Sequence, residues 1–125
     1  MFHVVLVQPE IPQNTGNIAR TCAATGCTLH LVRPLGFEIS DRYLKRAGLD
    51  YWHLVNVEVH DDMAAFLKEY PQARMHLFTT KAHKTYAEAE YREGDFLIFG
   101  RETRGLDEEF LVRHPDERVR IPMRE

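Results

Sequence analysis

The sequence predicts an α/β domain built on a parallel, Rossmann-like sheet, and three observations carry that prediction. Five short runs rich in Val, Leu, Ile and Phe alternate with four stretches whose apolar residues recur every three or four positions. The strand-type runs are almost continuously apolar, as expected of strands covered on both faces. Finally, the 125 residues are 44% hydrophobic and 10% aromatic, enough for one core, and no repeat, low-complexity tract or linker divides them. A single domain over residues 1–125 follows.

The elements can be taken in order. FHVVLV (2–7) is the first strand, and NTGNIARTCAATG (14–26) the helix after it, with Ile18 and Cys22 on the stripe that faces the sheet. TLHLV (28–32) is the second strand, SDRYLKRAGL (40–49) a helix, and HLVNVEV (53–59) the third strand. DDMAAFLKEY (61–70) returns the chain to RMHLFTT (74–80), and DFLIFG (95–100) leads into the helix LDEEFLVRH (106–114). RVRIP (118–122) supplies one more strand end. Helices between parallel strands make right-handed crossovers that cover the sheet faces.

Composition excludes several classes of function. The formal net charge is −3, so nucleic acid would have to be held by a local patch rather than by a global positive field. Cys22 and Cys27 fit neither a disulfide framework nor a two-pair zinc site, and reduced thiols in a cytoplasmic protein are expected. No apolar run reaches the ~18 residues of a membrane span, and the N-terminus has no basic region of a secretion signal. His3, His30 and His76 read as sheet or core residues, while His53, His60, His83 and His114 lack partners at ligand spacing, so no metal is expected. Neither GxGxxG, GxxxxGK[ST] nor a Gly-x-Ser-x-Gly elbow occurs.

Ligands of an open parallel sheet sit beyond the carboxyl ends of its strands, and three loops there are unusual. In QPEIPQNTGNIAR, two prolines stiffen the exit from the first strand, Asn14 or Thr15 can cap the helix, and Gly16 would let a ligand or chain approach. Arg20 shares a face with Asn17 and Ala24; a cation so near a helix N-terminus makes sense if an anion lies close by, with a solvated arginine as the alternative. In FGRETRGLDEEF, Gly100 and Gly105 expose backbone to a ligand or merely make a tight turn, Glu102 and Arg104 serve a site or form only a surface ion pair, and Asp107 can cap. In DRYLKRAGLDYW, Arg42, Lys45 and Arg46 share one helical face ahead of Tyr51 and Trp52, a pattern that suits phosphates and stacked bases or a plain solvated face. Lys81, His83 and Lys84 add a smaller basic cluster.

Taken together, PEIPQNTGNIARTCAATG, KRAGLDYW, LFTTK and FGRETRGL followed by RIPM resemble the SPOUT family of trefoil-knotted RNA methyltransferases over essentially the whole chain. Within it, the likeness is to the small TrmL-type enzymes, which methylate the ribose 2′-oxygen at the wobble cytidine or uridine of certain tRNAs. The resemblance implies a homodimeric, cytoplasmic enzyme that uses S-adenosylmethionine, without metal or membrane. Asn14, Gly16 and Arg20 match the family's first motif, where the arginine serves the ribose and its phosphate, and Gly100, Glu102 and Gly105 match the second. The donor pocket would be made by Phe78, Thr79, Gly100, Glu102, Gly105, Ile121 and Met123, and RNA would be held by Arg42, Lys45, Arg46 and Lys81. The family's third motif, a Ser-Leu-Asn-Leu-Ser run opening a final knot-forming helix, is absent from these 125 residues, so a C-terminally truncated domain with weakened donor binding is expected.

Methyl transfer to a 2′-hydroxyl needs an in-line sulfonium methyl and stabilisation of a developing alkoxide. Arginine stays protonated, so Arg20 is expected to bind phosphate or stabilise oxygen charge rather than act as a base, with Glu102 orienting it. The competing reading is a non-catalytic RNA-binding or assembly domain of the same fold. A flavodoxin-like regulator rests on the α/β rhythm alone.

Overall fold

The structure, a computed structural model, describes residues 1–38, 53–80 and 82–120. Six strands form one sheet: β1 (His3–Val7), β2 (Thr28–Val32), β3 (Val57–His60), β4 (Met75–Phe78), β5 (Phe96–Phe99) and β6 (Arg118–Val119). Their order is β3-β2-β1-β5-β4-β6, and every pairing is parallel. Among the described residues, the helices are α1 (Pro12–Thr25), α2 (Met63–Glu69) and α3 (Glu108–Arg113). None is long and apolar enough to cross a membrane. The expected helix over 40–49 lies outside the described residues, as do Arg42, Lys45, Arg46, Lys81, Ile121 and Met123.

The period-two rule of a strand explains how the layers are divided. Val5 and Leu6 are neighbours on β1, yet they enter different clusters because successive side chains leave opposite faces. On one face, α1 buries Ala19 and Cys22 against Leu6, Leu29 and Leu31. On the other, Phe66 of α2 and Leu111 of α3 pack on Val5, Leu77 and Ile98. Each fully buried side chain of this kind contributes roughly 1.5–3 kcal/mol. Cys22 is a small core residue, as expected, and burial pushes its thiol up to about 11.

Two element boundaries and one cap differ from the sequence expectation. The third strand begins at Val57 rather than His53, because the ladder to β2 starts only where the Leu29 amide donates to the Asn56 carbonyl, leaving Leu54 exposed. α1 begins at Pro12, so Asn14 and Thr15 lie inside the helix and neither caps it; Ile11 is the N-cap and has no side-chain cap bond. Proline is favoured at a first helical position because its φ is already helical and its missing N–H has no partner to lose. Asp107 occupies the N-cap of α3, but its carboxylate pairs with the Arg101 guanidinium at 2.5 Å instead of capping. Asp62, by contrast, does cap α2, accepting from the Ala65 amide at 2.7 Å.

Candidate functional site

Strand order turns at β1: the chain runs outward from β1 through β2 to β3, and β5 then lies against β1 from the other side. This places the β1–α1 and β5–α3 loops side by side at the carboxyl end of the sheet. Four hydrogen bonds lock them. Glu102 Oε1 accepts from the Glu10 amide at 2.8 Å and Oε2 from the Ile11 amide at 2.9 Å, while Glu10 Oε1 accepts from the Thr103 amide at 3.0 Å and the Thr103 hydroxyl at 2.8 Å. The Thr103 bonds hold the Glu10 carboxyl below its usual range. Glu102 also puts a negative charge at the positive end of α1. Its carboxylate therefore ties two loops together rather than pairing with Arg104, the surface partner that the sequence had suggested.

The β5 loop is a tight bend in which Arg101 and Gly105 exchange backbone bonds, the Arg101 amide to the Gly105 carbonyl at 3.0 Å and the reverse at 2.7 Å. Gly105 sits at φ +68°, in the left-handed region. A methyl group on Gly100 would lie 2.1 Å from the Gly105 carbonyl carbon, so that position tolerates no side chain. Phe78 stacks on Phe99 with ring centroids 4.6 Å apart, and the Thr79 amide donates to Val119. Phe78, Thr79, Gly100, Glu102, Gly105 and Leu106 line a cavity of about 400 Å³. That is within the usual range for a small-molecule site.

A second cavity, of about 340 Å³, adjoins the first and shares Phe99, Gly100 and Glu102 with it. Asn14 and Asn17 of α1 line it from the other side, together with Thr15, whose buried hydroxyl has no hydrogen-bond partner. Arg20 is exposed one turn beyond Asn17 on the same helix. The structure thus brings together Asn14, Gly100 and Glu102, with Phe78, Thr79 and Gly105 in the neighbouring cavity. Gly16, expected to let a ligand or chain approach, is buried in α1 beside Thr15 and Ala19.

Sequence reasoning missed Glu10 and Thr103, whose partners lie about ninety residues away, and no local pattern could have signalled them. It also treated His60 as solitary. In the sheet, His60 Nε2 lies 3.0 Å from His30 Nδ1, whose Nε2 is in turn 2.8 Å from His3 Nδ1. Burial pushes His30 down to about 4, so the ring is neutral, and His3 is lowered for the same reason. His76 donates to the buried Asp95 at 2.7 Å, and so reads as the satisfied sheet residue expected.

The sequence model of the SpoU rRNA Methylase family matches residues 1–125. The chain is 52% identical to the tRNA (cytidine(34)-2'-O)-methyltransferase of Burkholderia cenocepacia, covering 99% of this chain and 81% of that one. Identity to the protein of the same name from Methylovorus glucosotrophus is 51%, over 98% and 80%. A solved structure presented as structural insights into the 2-OH methylation of C/U34 on tRNA is 53% identical, with TM-score 0.94 over 100% of this chain and 82% of that one. An AdoMet-bound rRNA methyltransferase from Sinorhizobium meliloti shares the fold at TM-score 0.86 and 22% identity.

Proposed function

The chain belongs to the SpoU rRNA methylase family, and from that premise we propose that it is a tRNA ribose 2′-O-methyltransferase acting on the wobble cytidine or uridine. One observation carries the reading. The Glu102 and Glu10 ties bring Asn14 and Gly100 to adjoining cavities, one suited to a methyl donor and the other walled by the exposed polar residues of α1.

The reaction breaks the bond from the sulfonium sulfur of S-adenosylmethionine to its methyl carbon, forms a carbon–oxygen bond to the ribose, and releases the hydroxyl proton to solvent. This chain's residues hold the two reactants in line and meet the developing charge. Phe78, Phe99 and the backbone from Gly100 to Leu106 enclose the donor. Asn14 and Arg20 face the ribose and its phosphate; Arg20 remains a cation throughout, so its contribution is charge stabilisation and not proton removal. Glu102 is a positioning residue. The enzyme works as a cytoplasmic homodimer. The patch of Arg42, Lys45 and Arg46, aided by Lys81, supplies the phosphate contacts that a net charge of −3 cannot provide elsewhere.

Transfer of labelled methyl groups to unmodified tRNA, with nuclease mapping of the product, tests the proposal. Arg20→Ala is expected to lower turnover roughly 10²–10³-fold while leaving donor affinity, measured by calorimetry, within twofold. Full turnover by that variant, or label at a base atom, contradicts the assignment.

A further inference from the structure

We propose that His30, Glu58 and His60 form a binding site for a divalent transition-metal ion of the zinc type, at the edge of the sheet where β3 pairs with β2. Among the described residues, they are the one group of three His, Cys, Asp or Glu side chains whose ligand atoms all lie within 4.8 Å of one another. Sheet register builds the group. His30 is directly opposite Glu58, and Glu58 and His60, two residues apart on β3, project from the same face.

The distances suit the chemistry. Bonds of about 2.0–2.1 Å at tetrahedral angles place neighbouring ligand atoms roughly 3.3 Å apart. The separation here is 3.0 Å from His30 Nδ1 to His60 Nε2 and 3.9 Å from His30 Nδ1 to Glu58 Oε1, so shifts of a few tenths of an ångström would admit the ion. Two imidazoles and one carboxylate form a donor set that zinc favours, with a fourth position left for water.

The surroundings already resemble an outer ligand shell. A metal-bound imidazole usually donates its remaining N–H to a fixed acceptor, which sets the tautomer. With His30 Nδ1 on the ion, its proton resides on Nε2, and His3 Nδ1 waits 2.8 Å away as the acceptor. His3 is itself held by stacking on Phe96 at a 4.0 Å centroid separation. The Tyr70 hydroxyl donates to Glu58 Oε1 at 2.5 Å and aims the carboxylate. Phe66 and Tyr70 close the site edge-on against His30 and His60. Among the described residues β3 is an edge strand, and the ion enters past Glu58, which is one-third exposed. Once bound it staples the edge strand to β2, three strand positions away from the methyl-donor cavity beside β5, so this site stands independently of the proposed reaction.

The test uses the untagged chain, stripped with a chelator and exchanged into metal-free buffer. Cobalt(II) is titrated and followed by visible absorption, and zinc(II) is titrated by calorimetry. The expected result is one ion per chain, tetrahedral cobalt bands that zinc abolishes, and a melting temperature that rises with zinc. Glu58→Gln and His60→Asn are each expected to weaken zinc binding at least tenfold, while His83→Ala, at an exposed histidine elsewhere, leaves it unchanged. Circular dichroism checks that each variant is folded; should one unfold, the cobalt spectrum of the unaltered chain decides. Absence of saturable binding, a weak octahedral cobalt spectrum, or tight binding that survives both substitutions overturns the proposal and leaves the three histidines as a hydrogen-bonded stack.

Discussion

The carboxyl end of the sheet, where the β1 and β5 loops meet, and its amino end, where Asp95 precedes β5, both join residues far apart in sequence, but by different means. At the carboxyl end, exposed carboxylates of Glu10 and Glu102 bond backbone amides and a hydroxyl. At the amino end, Asp95 is almost fully buried, and a single oxygen receives the Arg74 guanidinium at 2.6 Å, His76 at 2.7 Å and the Arg92 amide at 2.8 Å. Surface ties are individually weak and can yield to a ligand, whereas a buried charge that loses a partner exacts several times more. The difference lies in the kind of tie: exposed bonds that a ligand can displace close the carboxyl end, whereas a buried charge shared by three donors closes the other.

The variant with the largest expected effect should break the carboxyl end alone. Gly100→Ala forces a methyl group onto the Gly105–Leu106 backbone. The bend must open at a cost of about 2–3 kcal/mol. Donor binding, followed by calorimetry, is expected to fall more than 100-fold while the far-ultraviolet spectrum stays native. Unchanged affinity would mean that the bend is not part of the donor site.

Asp95→Asn probes the amino end and should do the converse: a loss of about 2 kcal/mol in urea unfolding, with donor affinity retained. This carboxylate also sets a pH dependence. Burial by itself would raise the Asp95 pKa, but the His76 bond, the Arg92 amide and the Arg74 charge outweigh it, so the folded value lies below the usual one. A carboxylate with a depressed folded pKa contributes stability that is complete above its unfolded value, near 3.8, and that disappears as pH falls through the lower folded value. Acid unfolding of the unaltered chain should therefore steepen below about pH 4, and the Asn variant should lack that component.

The smallest expected effect sharpens the contrast. Glu102→Gln keeps one acceptor but turns an amide donor toward the Glu10 or Ile11 N–H, costing about 1 kcal/mol. Turnover should fall further than stability does, because the substitution loosens the relation between α1 and the β5 loop; equal losses in both would assign Glu102 a structural role only.

Much of the architecture was legible in the chain because it rests on local regularities. Near-continuous apolar runs such as FLIF foretold buried parallel strands, and three- and four-residue spacing placed Cys22 on the inner stripe of α1. Gly100 and Gly105 were legible as a backbone-lined turn for the same reason. Helix ends were less so: Asn14 has the chemistry of a cap, yet Pro12 starts the helix earlier and Glu102 serves the amides ahead of it.

By itself, then, the sequence determined the α/β layering, the inner stripe of α1 and the backbone-lined turn at Gly100 and Gly105, since these follow from periodicity and residue type along a few consecutive positions. Only the tertiary structure decided that Glu10 clasps Thr103, that Glu102 ties two loops, and that His60 lies against His30. A parallel sheet sets side by side residues thirty to ninety positions apart, and a hydrogen bond, which acts over about 3 Å, depends on that adjacency and leaves no trace in the local pattern.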